Sequence, residues 1–350
     1  MLIVAVVFTA CDPYPRKSER MEYALKQADS IYSGGENDTA LFIPNLAEAA
    51  SYFADKKQYE KAALAALYNG YAEKDYDKAA AMESFKEAER YSEIVVDSLT
   101  MARAEYWIGK LLYDEGRKED ALLAFKVSYG HFGNRILERA FVENSLSVTY
   151  IIMDQFDSAE IHLHNSLVDA QNCYSTKLER KTWNNFAVLY RLQGDYDRSI
   201  DCLKKAMSQE DREKEETIKI LLNLGNTFMA KGEVDSAALY LQCLEDIVSD
   251  NLLNSETRLS AYGALLRFAE NQGNETTALR YREKHENLLY DVMKHRQEQS
   301  VYRIQKQYDY ETLRNIMNKK IIQRHKIILI ATFLLLALAI VVLVLQYRHK

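Results

Sequence analysis

A chain of 350 residues can hold two average domains or one elongated array, and its 48% hydrophobic and 27% charged residues fit a chain that folds rather than one that stays disordered. The net charge of −6 conceals a division: residues 280–350 hold 14 Lys and Arg against 6 Asp and Glu, a balance of +8, which leaves −14 on the rest. So acidic a body excludes a nucleic-acid partner for this portion, which would need a basic face, while a basic end beside an apolar run points to anionic lipid headgroups.

The first element is MLIVAVVFTAC, residues 1–11. Leu2–Ala10 is apolar but too short to span a bilayer. Small residues precede Cys11, and Asp12 and Pro13 follow it. The stretch resembles a bacterial lipoprotein signal, and the resemblance implies that Cys11 carries lipid. It departs from that pattern at Phe8, where Leu is usual, and in lacking a positively charged n-region. A start codon upstream of Met1 would supply one. The alternative is a short apolar helix packed on the body.

Only 3 Pro and 12 Gly occur, with no Pro after Pro44, so the expected fold is all-α. Residues 12–56 read as a degenerate helical pair, and 57–285 as a repeat. In TWNNFAVLYRLQGDYDRSIDCLKKA, residues 182–206, Trp183, Phe186, Ala187 and Tyr190 share one helix face, Gly194 makes a turn, and Ser199, Leu203 and Ala206 share a second face. LLNLGNTFMAKGEVDSAALYLQCL and YWIGKLLYDEGRKEDALLAFKVS repeat the frame. An anchor column on the second helices reads Ala81, Ala121, Ala159, Ser199, Ala237 and Ala278. A turn column reads Gly116, Asp154, Gly194, Gly232 and Gly273. Small anchors let helices approach closely, and Gly or Asp tolerates a left-handed turn.

These columns resemble the tetratricopeptide repeat family, with its W-x2-L-G-x2-Y first helix and Ala, Phe, Ala second helix. The resemblance implies a TPR-like helical-hairpin solenoid of about six repeats, each 38–41 residues long, beyond the usual 34. Such long helices are similar to those of kinesin light chains and some bacterial regulators. The sixth repeat, with Arg282 and His285 where Phe and Ala are expected, suits a capping role. The resemblance also implies a concave groove lined by first helices. That face would hold Arg103, Tyr106, Lys110, Asn144, Lys181, Asn184, Asn185, Arg191, Lys219, Asn223 and Asn226. Asparagine amides can pair with both backbone groups of an extended peptide, and Lys or Arg can hold a carboxylate. The groove is therefore expected to take a protein or peptide ligand; alternatively these side chains bond the neighbouring repeat.

From Asn274 onward there is neither Gly nor Pro. Residues 286–326 read as a helical stalk. Leu289, Met293, Val301, Ile304 and Tyr308 partly suit a coiled coil and hence a homodimer. The segment 327–346 reads as a transmembrane helix: 327–345 are nineteen residues, apolar but for Thr332, long enough to rise about 28 Å. A short tail, 347–350, follows. Lys319, Lys320, Arg324 and Lys326 before the span would put the body in the cytoplasm. A cleaved export signal overrides this bias, so the expected location is the bacterial inner membrane, single-pass, with the array in the periplasm.

Aspartate followed by Ser or Thr and an apolar residue occurs at 29–31, 38–40, 97–99, 157–159 and 235–237. The triplet resembles an O-glycosylation acceptor of exported bacterial proteins, although Asp-Ser is also an ordinary helix cap. No phosphate loop, HExxH, GxSxG or EF-hand appears. His162 and His164 lie about 200° apart on a helix and cannot chelate together, which makes them solvated polar residues. Cys173, Cys202 and Cys243 form no CxxC and read as buried, inert thiols. No catalytic residue, metal or cofactor is expected. The layout resembles the sensor half of bacterial membrane regulators, and a free-standing envelope scaffold is the alternative.

Overall fold

The computed structural model describes residues 17–32, 43, 45–75, 77–208, 214–248 and 253–294. The chain divides into two compact units, Met1–Tyr290 and Asp291–Lys350. Cys11, most of the stalk and the span 327–346 lie outside the described residues. Among the described residues no helix is long and apolar enough to cross a membrane.

The first unit is built of helices. A leading pair, α1 (Lys17–Tyr32) and α2 (Leu46–Asp55), precedes the hairpins. These are α3 (Tyr59–Glu73) with α4 (Lys78–Val95), α5 (Ser98–Asp114) with α6 (Lys118–His131), and α7 (Ile136–Ile152) with α8 (Phe156–Asn172). Then come α9 (Thr176–Leu192) with α10 (Tyr196–Ser208), and α11 (Lys214–Lys231) with α12 (Val234–Val248). Last is α13 (Ser255–Asn271), followed by α14, residues 275–294. Each odd helix from α3 to α11 packs most closely on the even helix after it, the order of an αα-hairpin solenoid.

The anchor column explains the packing. Ala81, Ala121, Ala159, Ser199 and Ala237 are fully buried, and Ala278 nearly so. The turn column takes the left-handed conformation throughout, with φ of 79° at Gly116, 56° at Asp154, 82° at Gly194, 85° at Gly232 and 67° at Gly273. Each turn then closes in the same way. The amide of Arg117 donates to Leu112 O at 2.9 Å, that of Gln155 to Tyr150 O at 3.0 Å, and that of Asp195 to Tyr190 O at 2.9 Å. These bonds satisfy carbonyls that a helix end leaves without partners. Gly109 serves differently: a Cβ there would sit 2.6 Å from the Phe125 ring, so the glycine lets α5 and α6 close over an aromatic.

A second series of left-handed residues joins one hairpin to the next: Val96, Gly133 and Tyr174, at φ of 58°, 55° and 54°. One apolar cluster runs from Met21 on α1 to Ala237 on α12. A second, around Leu244, Leu265 and Tyr281, packs α11 to α14 together. In the sixth hairpin Arg282 stays in solvent and bonds Glu270 at 2.6 Å, while His285 sits against Gly263.

Three expectations need correction. His162 is not a solvated residue: its Nδ1 meets the buried carboxylate of Glu143, and its ring stacks on Tyr150 at 5.2 Å. His164 is exposed. Among the described cysteines only Cys202 is buried, with burial pushing its pKa up to about 11; Cys173 is half-buried and Cys243 exposed. Of the Asp-Ser pairs, Asp97 caps α5 through the amides of Leu99 and Thr100, whereas Asp157 and Asp235 lie inside the first turns of α8 and α12. There they still face the positive end of the helix dipole.

Candidate interaction site on the first helices

The expected groove residues all lie on first helices, and the structure gives them unequal roles. The asparagines form inter-repeat bonds. Asn144, 9% exposed on α7, donates to Thr182 Oγ1 at 3.0 Å and accepts from Asn185 Nδ2 at 3.1 Å. Asn223 on α11 donates to Asn184 on α9 at 2.9 Å. An amide bonded to the next repeat has less left to offer a peptide, so the reading of all these amides as peptide clamps is too broad. Asn226 stands half-buried on α11.

The cations divide likewise. Lys219 is exposed and pairs with Glu216 at 3.0 Å. Lys181 lies 6.0 Å over the Phe141 ring. Arg191 buries its Nε without a hydrogen-bond partner among the described residues, and burial lowers its pKa. Lys110 is half-buried on α5.

Arg103 and Tyr106 belong to something more concentrated. They line a cavity of about 260 Å³ together with Tyr71 of α3, Trp107 of α5, Phe132 after α6, and Leu137 and Phe141 of α7. Tyr71 meets Trp107 edge-on at 5.9 Å, and Tyr106 meets it edge-on at 5.8 Å. Beneath, the buried ammonium of Lys74 lies 5.0 Å from the Trp107 centroid and pairs with Asp75 at 2.8 Å. The tryptophan is therefore clamped from three sides. Glu138 at the rim is neutralised by Arg135 at 3.1 Å. Arg103 makes no ion pair among the described residues and lines the cavity, as does Lys177.

Sequence reasoning missed Tyr71, Trp107, Phe132, Leu137 and Phe141. The signal for Trp107 was present, since it stands next to Tyr106 in the middle of α5, and Phe141 lies in the second turn of α7. Phe132 came from a connection whose path no periodicity specifies. Nothing in this arrangement positions a nucleophile beside a base, and among the described residues no group of His, Cys, Asp and Glu could hold a metal.

Residues 178–250, which make up most of α9–α12, match the model of the tetratricopeptide repeat. Residues 178–250 carry tetratricopeptide repeats. That makes the array a protein–protein interaction module, on a fold that typically serves as a non-catalytic scaffold. No curated protein matches the chain. Among solved structures, the fold is similar to the apo form of RapI, at 12% identity and a TM-score of 0.54 over 81% of this chain and 89% of that one. It is also similar to a Rap protein complexed with competence and sporulation factor, at 12% identity and a TM-score of 0.52 over 81% and 90%. Aspartyl phosphate phosphatase F from Bacillus subtilis shares 15% identity, with a TM-score of 0.52 over 77% of this chain and 80% of its own. Likeness at these identities establishes the solenoid alone.

Proposed function

We propose that the array captures a peptide segment of a partner protein, with the Trp107 cavity taking an apolar or aromatic side chain and Arg103 holding a carboxylate beside it. The observation that carries this reading is a guanidinium in an aromatic-walled cavity that makes no ion pair among the described residues. Such a cavity offers a large apolar area with two cations, Arg103 and Lys177, in its wall, which suits an anchor residue next to an acidic one or to a chain terminus. On this reading the chain binds and does not catalyse.

The sequence supports a further placement. The apolar run 327–345 and the lipoprotein-like Cys11 favour a bacterial inner-membrane protein, held by lipid and one span, with its array in the periplasm. An array joined by a helical stalk to a span suits the sensor part of a signalling or transcription regulator. Stalk dimerisation would provide the means to transmit occupancy.

Selection of peptides on the purified chain tests the site. Enriched sequences should carry an aromatic or large aliphatic residue next to a carboxylate, and Arg103→Ala with Phe141→Ala should lose them. Selected peptides that bind that double variant as tightly as the parent would remove the cavity from the function. Protease added to intact spheroplasts should digest residues 20–320; full protection would overturn the periplasmic placement. Stalk substitutions that change output without changing peptide binding separate a sensor from a scaffold.

A further inference from the structure

A second cleft lies among α4, α5 and α6, and shares no lining residue with the Trp107 cavity. Its origin is a mismatch between consecutive repeats. The residue four before the close-approach position on the first helix is Glu105 on α5 (before Gly109) and Glu143 on α7 (before Ser147). The residue three after the anchor on the second helix is Ala124 on α6 and His162 on α8. In α7–α8 these positions meet, and the imidazole of His162 satisfies the buried Glu143. In α5–α6 the acid is retained, a methyl group stands where the imidazole would be, and the acid's bonded neighbour is Glu89 on α4.

What remains is a cleft of about 540 Å³ with Glu105 and Ala124 in its wall. Glu105 is 7% exposed. Met82, Ile108, Leu112, Leu123 and Val127 supply an apolar lining, and Leu123 is 65% exposed. Charges at the rim are largely cancelled. Lys86 pairs with Glu89 at 2.8 Å and Arg117 with Asp120 at 2.6 Å, which leaves Glu115 and the buried acid to set the sign. The volume falls in the range of small-molecule sites, and the design of such sites is an apolar lining with one directional polar group.

We propose that this cleft binds a small organic amine, whose apolar body covers Leu123 and Val127 and whose ammonium donates to Glu105, in place of the imidazole that the next repeat supplies to Glu143. The groups facing Glu105 are Glu89 and Lys86 on α4, while α6 presents only the methyl group of Ala124 at that position. Burial and the bonded Glu89 carboxyl push Glu105 up to about 7. Below that pH the two carboxyls hold a proton between them, and an entering ammonium must displace it. Binding therefore strengthens as the pH rises through this value.

The test titrates phenethylamine into the full chain by calorimetry, at about pH 6 and about pH 8, with 2-phenylethanol as the uncharged control. The expected result is saturable amine binding, about fivefold or more tighter at the higher pH, with no such pH dependence for the alcohol. Glu105→Gln should abolish the pH dependence and weaken binding, and Ala124→His should block the site. Leu123→Ser alters an exposed side chain, so it should weaken binding without threatening the fold, and it carries the test if a buried variant fails to fold. No saturable binding at the higher pH, or binding that neither Leu123→Ser nor pH alters, would overturn the proposal.

Discussion

Asn223 donates from Nδ2 to the Oδ1 of Asn184 at 2.9 Å, across thirty-nine residues of sequence and one hairpin of the solenoid. Asn185 and Asn144 make the neighbouring link at 3.1 Å, and Asn144 extends it to Thr182 at 3.0 Å. Thr182 in turn donates to Leu178 O and meets Ser166 Oγ at 3.1 Å, so a polar chain runs from α8 through α9 to α7. Removing Asn144 breaks two of these bonds at a site 9% exposed. Asn144→Ala is therefore expected to lower stability by about 1–3 kcal/mol. Asn226→Ala, with no bond of this kind among the described residues, should stay within about 0.5 kcal/mol. Urea unfolding of both variants checks the contrast, and equal losses would show that the ladder contributes nothing beyond burial.

The ladder also marks where sequence reading stopped. The anchor and turn columns were legible because each position answers to one local demand, a small volume or a left-handed φ, that recurs every 38–41 residues. Asn184 and Asn185 carried no such label. An amide on the inner face reads the same whether it bonds a peptide or the next repeat, and only superhelical stacking decides. Arg103 and Tyr106 could be placed on the correct face by register. The cavity they share with Phe132 needed the path of a connection, which periodicity does not encode. The Glu105–Ala124 mismatch was open to inspection in the register alone, but its meaning depended on seeing His162 bonded to Glu143.

Gly109 opposes two effects of known sign. Alanine in a helix interior gains about 1 kcal/mol over glycine. Its Cβ would lie 2.6 Å from the ring of Phe125, which is 1% exposed and has nowhere to move. Overpacking of this kind costs about 1–3 kcal/mol, so Gly109→Ala is expected to lose about 1 kcal/mol net. Two later hairpins pair a residue that has a Cβ with leucine at the position of Phe125, Ser147 with Leu163 and Ala187 with Leu203. Gly109→Ala combined with Phe125→Leu should therefore cost less than the sum of the two single changes. Strict additivity in a double-mutant cycle would show that the ring is not the obstacle.

Val96 holds a β-branched side chain at φ 58° while 82% exposed. The conformation costs roughly 1–2 kcal/mol for a residue with a Cβ, and so exposed a side chain recovers little by packing. Asparagine tolerates this region because its short amide bonds locally. Val96→Asn is thus expected to raise stability by about 0.5–1 kcal/mol, with peptide capture unchanged. A thermal melt showing no gain would mean that Val96 contributes a contact that outweighs its strain.

The Glu105–Glu89 pair sets a pH dependence with a definite sign. The unfolded chain gives up the Glu105 proton near the ordinary value of 4.5, and the folded chain holds it to about 7. Between those values the folded state binds more protons, so this group's contribution to stability is lost as the pH rises through that window. Glu89 works in the opposite sense. Its carboxylate, stabilised by Glu105 and Lys86 against the cost of burial, is held below its ordinary value, and its contribution is lost as the pH falls. Glu105→Gln keeps the shape and a donor for Glu89 but cannot ionise. Its melting temperature relative to the parent should therefore rise from about pH 5 to about pH 8. A difference that stays constant across that range would mean that Glu105 titrates normally in the folded chain, and that the two carboxyls share no proton.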